Sequence, residues 1–147
     1  MKITNLKIRK LEIPFNMSFK HASAERNATE SILVVVESDN RHEGYGESCP
    51  RSYVTAEHID STIAFFEKHK SSVRAIENLE ELRLWIEEKK GDIDANPAAW
   101  CAIELALLDL LGKGQEKSIE ELLSLPMLKG EFHYTAVLGA SNYEIFK

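Results

Sequence analysis

The chain has 147 residues, of which 44% are hydrophobic, and its 18 Lys and Arg against 24 Asp and Glu give a formal net charge of −6. That length can bury a core without metal or disulfide staples, and a net acidic surface repels phosphate, which argues against nucleic acid as a partner. The N-terminus lacks the apolar stretch of a signal peptide, and no run approaches the roughly 20 apolar residues of a membrane span, so the expectation is a globular cytoplasmic protein that binds no membrane.

The first third reads as β. Leu6 and Ile8 share one parity and Leu11, Ile13 and Phe15 the other, which predicts a strand bulged near Arg9 and Lys10, with Pro14 close to its end. Residues 16–27 are polar without a period and read as a long loop. Residues 30–38 (ESILVVVES) are β-branched and apolar, a central strand, and Asp39-Asn40 turns the chain into an antiparallel third strand over 43–47. These make a three-stranded antiparallel meander.

Helices follow. Thr55 is placed to cap the first, with Ile59, Ile63, Phe66 and Val73 as its apolar stripe. Asn78 and Glu81 predict a capping box for the second, with Leu79, Leu82 and Ile86 facing inward and Gly91 as its stop. Asn96-Pro97 starts a third helix over 97–111, and Ser118 with Glu121 caps a short fourth. Residues 132–138 (FHYTAVL) read as a further strand. The fold class is therefore α+β: a meander, then a helical bundle. Helix 97–111 is apolar nearly all round and needs cover on several sides, and the last strand has no later partner.

Few residues carry chemistry. There is no P-loop, and Gly44-Tyr45-Gly46 does not continue into a dinucleotide-binding fingerprint. The histidines His21, His42, His58, His69 and His133 show no metal-ligand spacing, and His58 and His69 read as solvated helix residues. The cysteines, Cys49 in a loop and Cys101 in an apolar helix, suggest neither a zinc site nor a disulfide framework, and reduced thiols suit the cytoplasm. Glu104 and Asp109 are five apart on one helix and diverge; a buried acid bonded at a packing interface is favoured over a catalytic carboxylate. Glu47 fits equally a ligand-facing acid and part of a strand-end hydrogen-bond network. The segment 18–27 offers Phe19, Lys20, His21 and Arg26, a set suited to covering an anionic ligand, and long loops in compact domains tend to be functional.

Taken in order, Pro14-Phe15, Ser18-Phe19-Lys20, Glu30-Ser31-Ile32-Leu33-Val34 and Gly44-Tyr45-Gly46-Glu47 followed by Pro50 resemble the capping domain of the enolase superfamily, of the mandelate racemase and muconate-lactonizing type. Within that type the dipeptide epimerases are the nearest likeness. Ala102, Glu104, Ala106, Leu107 and Asp109 resemble its cap-to-barrel helix, and Leu122-Leu123 and Tyr134-Thr135 the short helix and first barrel strand. The resemblance implies a capping domain over 1–95 and, over 96–147, the linking helix, the short helix and the first strand of an incomplete TIM barrel.

The family removes a proton α to a carboxylate and stabilises the enediolate with magnesium. Its lysines and metal carboxylates lie on later barrel strands, so the resemblance implies no catalytic residue, no metal ligand and no cofactor in this chain, with Mg expected only in a full-length relative. The chain is thus expected to be inactive by itself and to be the substrate-specificity portion of an epimerase-like isomerase. The partner so implied is a small carboxylate or dipeptide in the full-length enzyme. The substrate-binding residues it implies are Phe19, Lys20, His21, Ala24, Arg26, Tyr53 and Thr135. Ala24 stands where alanyl-glutamate epimerases tend to have a basic residue, with Arg26 or Lys20 nearby as substitutes, and Tyr45 stands where tryptophan is common. Two alternatives remain: a stand-alone module that oligomerises through exposed apolar surface, and the cap of a muconate cycloisomerase or o-succinylbenzoate synthase-like enzyme.

Overall fold

The structure is a computed structural model that describes residues 1–21 and 24–135, with the backbone alone at 19–21 and 24. The chain runs β1 (Ile3–Leu11), β2 (Pro14–His21), β3 (Ala24–Ala28), β4 (Ser31–Ser38) and β5 (Glu43–Ser48), then α1 (Ile59–Val73), α2 (Leu79–Glu88), α3 (Lys90–Asp94), α4 (Pro97–Gln115) and α5 (Ile119–Leu123). β1, β4 and β5 form one antiparallel sheet in that order, and β2 pairs with β3 in a second. The expected three-stranded antiparallel sheet and helical second half are both present.

The expected long loop over 16–27 is instead this second pair, a β-hairpin. The parity switch after Leu11 marks its start: β1 pairs without interruption from Asn5↔Glu37 to Leu11↔Ser31, and its register shift lies between Ile3 and Asn5, not near Arg9 and Lys10. Ile13 and Phe15 belong to the hairpin side of the break. Thr29 ties the two sheets together, its N–H donating to the Ile13 carbonyl at 2.8 Å while its hydroxyl oxygen accepts from the Ile13 N–H at 2.9 Å.

β5 lies against α4 because it has almost no side chains on its inner face. Gly44, Gly46 and Ser48 are buried while Glu43, Tyr45 and Glu47 are exposed. Opposite the glycines α4 presents Ala102 and Ala106, both fully buried, so strand and helix backbones meet directly. The core is completed by Leu6, Val34 and Val36 from the sheet, Phe65, Phe66 and Val73 from α1, and Leu82 and Trp85 from α2. α4 is thereby covered by β4, β5, α1, α3 and α5. Leu105 stays 42% exposed, so the cover that its composition calls for is incomplete within the described residues.

The helix ends correct several expectations. α1 is capped by His58, not Thr55: His58 Nδ1 accepts from the Ser61 N–H at 3.0 Å, and Ser61 Oγ accepts from the His58 N–H at 2.9 Å. Thr55 is used earlier, in a turn where its N–H donates to the Arg51 carbonyl at 2.9 Å. Asn78 caps α2 through Oδ1, accepting from the Glu81 N–H at 3.0 Å, while Glu81 reaches back to the N–H of Glu77. α2 ends at Glu88 without a glycine stop, and Gly91 lies inside α3; Gly130 is the glycine with positive φ among the described residues. α4 starts at Pro97 as expected but runs on to Gln115, where Glu116 takes the left-handed cap conformation and the Lys117 N–H donates to the Gly112 carbonyl at 2.9 Å. The capping box of Ser118 and Glu121 forms as expected. Residues 131–135 are irregular where a strand is expected, and 136–138 fall outside the described residues.

His69, expected on a solvated face, is instead packed in the core with a 5% exposed side chain. Its ring lies 4.6 Å from Phe65 and 5.3 Å from Trp85, whose indole stacks on Trp100 at 4.7 Å. Its Nε2 is 3.2 Å from Asp92 Oδ2 without a well-aligned hydrogen bond. Burial is the main cause holding His69 below its usual 6.5, against the opposing pull of Asp92 and with the help of Lys68 and Lys89. A depressed histidine pKa means that, below about 6.5, the unfolded chain binds a proton the native one refuses. Stability is therefore expected to be full above that pH and to fall as pH drops through the window beneath it. Urea midpoints on either side of the window would show the loss, and His69→Phe should flatten it; an unchanged slope in that variant would assign the loss to another group.

Among the described residues no helix is long and apolar enough to cross a membrane.

Candidate functional site

Five of the seven residues that the resemblance implies, Phe19, Lys20, His21, Ala24 and Arg26, sit at the far end of the β2–β3 hairpin, where Phe19 pairs with Arg26, Lys20 with Glu25 and His21 with Ala24. Pairing replaces an irregular loop by a ribbon that projects from the sheet. The Arg26 charge is engaged by its own surroundings: Nη2 donates to the Ala28 carbonyl at 3.3 Å, Nε lies 3.7 Å from Glu30 Oε2, and the guanidinium stands 5.8 Å from the Phe15 ring centroid. These contacts fix the base of the ribbon and leave that arginine half-buried.

Tyr53 lies in the segment between β5 and α1, 45% exposed. It borders a cavity of about 350 Å³ shared with Lys10, Glu30, Arg51, His58 and Asp60. Arg51 connects the two regions, because its Nη1 donates to the Glu30 carbonyl at 2.9 Å and to that of Pro50 at 2.6 Å. Glu30 thus meets Arg26 through its carboxylate and Arg51 through its carbonyl. The hairpin and the Tyr53 segment are held at one end of the three-stranded sheet, where β4 begins and β5 finishes. Thr135 is exposed in irregular backbone.

Two adjacent residues set the Tyr53 segment in place: Glu57, which no motif singles out, and His58, expected on a solvated helix face but found at the N-cap of α1. Glu57 is 3% exposed, and its carboxylate accepts from the N–H groups of Ala98 at 2.8 Å and Ala99 at 2.9 Å. His58 caps α1. One dipeptide therefore closes the N-termini of two helices and pins the segment between them. No local pattern announces a cap that comes from 41 residues upstream; the one available signal is that Asn96, the residue at the α4 N-cap, makes no side-chain cap bond.

The acids resolve differently. Asp109 accepts from the Tyr45 N–H at 2.9 Å and pairs with Lys113 at 2.7 Å, a strand-to-helix tie whose side chain is 32% exposed, not buried as expected. Glu104 is half-buried, and burial raises its carboxyl above the usual range while the Trp100 side chain pulls the other way. Glu47 stays exposed, its Oε1 lying 3.9 Å from Cys49 Sγ. Among the described residues no three His, Cys, Asp or Glu side chains gather so as to hold a metal ion.

No family model matches the chain. Among curated proteins it is similar to the hydrophobic dipeptide epimerase of Enterococcus faecalis, 29% identical over 126 residues that cover 84% of this chain and 34% of the relative. Among solved structures it is similar to the Enterococcus faecalis V583 dipeptide epimerase complexed with Mg and L-Leu-L-Tyr, with a TM-score of 0.66 at 26% identity over 84% of this chain and 34% of that one. It is also similar to a mandelate racemase/muconate lactonizing protein of Herpetosiphon aurantiacus, with a TM-score of 0.63 at 25% identity over 78% and 31%. Its neighbours among solved structures are thus enolase-superfamily enzymes of the mandelate racemase and muconate-lactonizing type, matched through their N-terminal part. Within it, the curated relatives are dipeptide epimerases and racemases, and the chain spans about a third of the length of those it matches.

Proposed function

We infer that this chain is the substrate-reading cap of a dipeptide epimerase-like enzyme and carries none of the proton-transferring groups. The observation that supports this reading most is the joining of the base of the hairpin to the Tyr53 segment through Arg26, Glu30 and Arg51. Two separate stretches of chain are brought to one edge and stiffened, which suits a lid that must present a fixed surface to a ligand. Phe19, Lys20, His21, Ala24 and Arg26 would read one side of a small carboxylate or dipeptide, Tyr53 another, and Thr135 would follow from the first barrel strand. In this reading residues 1–95 are the cap, and 96–147 hold the linking helix and the start of the barrel. Proton abstraction α to the carboxylate, with the magnesium that the Enterococcus faecalis epimerase binds, belongs to barrel strands of the full-length enzyme. The setting is the cytoplasm.

The test exchanges this chain for the matching third of the Enterococcus faecalis epimerase. The chimera should epimerise dipeptides with a changed order of kcat/KM among substrates, and an unchanged order would overturn the cap reading. The isolated chain, given Mg²⁺ and L-Leu-L-Tyr in D₂O, should incorporate no deuterium at the α-carbon; incorporation would place catalytic groups within it. A second reading, a self-associating module, is favoured by exposed Leu105, Met127 and Leu128. Light scattering on the same sample decides it, since a defined oligomer is its signature.

A further inference from the structure

Two residues of a strand advance by about 6.6 Å and four residues of a helix by about 6 Å. An edge strand lying antiparallel to a helix therefore keeps step with it, every second residue against every fourth. β5 does this along α4. The Glu43 carbonyl accepts from Lys113 Nζ at 2.8 Å, and the Tyr45 N–H donates to Asp109 Oδ2 at 2.9 Å. The inner side keeps the same beat, with Gly44 against Ala106 and Gly46 against Ala102. Continued along the outer stripe, the register sets Glu47 beside Leu105 and Cys49 beside Cys101. A second observation agrees: Cys49 is among the groups that act on the Cys101 thiol. Both are free and exposed.

We propose that Cys49 and Cys101 are a reactive dithiol that closes to a disulfide across the end of β5 and the first turns of α4 when it meets a small-molecule disulfide such as glutathione disulfide. The Cys49 thiolate attacks one sulfur of the oxidant, forming a mixed disulfide and expelling one glutathione thiolate. The Cys101 thiolate then attacks the Cys49 sulfur and expels the second. Two protein thiols lose two protons and two electrons, and one glutathione disulfide becomes two glutathione thiols. Burial first, then Glu104, pushes the Cys101 thiol up, so closure is the slow step and accelerates as pH rises. The bond would staple the start of the Tyr53 segment to α4. That consequence for substrate reading rests on the cap proposal; the bond itself does not.

The reduced 147-residue chain is incubated with glutathione disulfide at about pH 8, where thiolates are plentiful, then quenched with an alkylating agent and weighed intact. The expected product has lost two hydrogens, retains no glutathione and yields a peptide joining Cys49 to Cys101. Cys49→Ser and Cys101→Ser should each keep one glutathione on the remaining thiol. Both positions are exposed, and far-UV circular dichroism checks that the variants fold. A wild-type chain that carries glutathione on both thiols, that links only to other chains, or that leaves both thiols unreacted overturns the proposal. A failed chimera with a formed bond would sink the cap reading alone.

Discussion

Gly46→Ala is expected to destabilise the chain severely and to lower its urea midpoint sharply. A methyl group on Gly46 would fall well inside contact distance of the Ala102 carbonyl oxygen, 2.9 Å from the Ala102 carbonyl carbon and 2.9 Å from the Ala106 nitrogen. All three obstacles are backbone atoms of a helix interior, which cannot swing aside as a flexible side chain would. β5 must lift from α4, opening the direct backbone contact between them. Overpacking a core that cannot relax costs about 3 kcal/mol or more, a large part of the 5–15 kcal/mol that a domain commonly has.

Gly44→Ala should behave alike, since its methyl would lie 2.7 Å from the Leu110 nitrogen. Gly91→Ala supplies the contrast: nothing lies within 4 Å of its added carbon, and alanine in a helix is worth about 0.5–1 kcal/mol over glycine. Urea unfolding followed by the fluorescence of the stacked Trp85 and Trp100 would rank the three. A Gly46→Ala midpoint near that of the wild type would show that β5 and α4 are not in direct backbone contact.

This contact shows what a linear reading can and cannot see. The glycine pair and the alanines of α4 are visible as a family pattern, but their physical reason lies in two segments more than 50 residues apart that fit only because both lack bulk. Local devices are legible: Asn96-Pro97 begins a helix and Ser118 with Glu121 caps one, because each involves neighbours in the chain. The β2–β3 hairpin is not legible. The apolar-in, polar-out alternation that betrays a strand arises from burying one face on a core, and the hairpin projects from the sheet, so its polar residues on both faces read as loop.

His69 misleads for the opposite reason. It is, with Thr62, one of two polar residues among inward positions that are otherwise apolar, Phe65, Phe66 and Val73, and its partners Trp85 and Asp92 come from α2 and α3. The candidate site divides in the same way. Its hairpin residues can be named from resemblance, but the link from Arg26 through Glu30 to Arg51 needs side-chain geometry.

Glu57→Ala is the second large effect expected, and it reaches the site from behind. The carboxylate supplies both acceptors for the first N–H groups of α4, where the helix dipole adds to the attraction. Ala99 is 1% exposed, so its N–H has little access to water once the carboxylate is gone. Losing a charged cap and stranding a buried donor costs about 3 kcal/mol. Glu57→Gln keeps one carbonyl acceptor but turns an NH₂ toward the other N–H, which places its loss between wild type and alanine. Because His58 caps α1 from the next position, the damage should spread to the segment that carries Tyr53. Amide exchange at Ala98 and Ala99 should quicken together with proteolytic cutting between β5 and α1, while the far edge of the sheet around Ile3 and Ser38 keeps its protection. If both amides stay protected and the urea midpoint holds in Glu57→Ala, the Glu57 half of the two-helix clamp contributes nothing, and other contacts, those of Arg51 among them, position the Tyr53 segment.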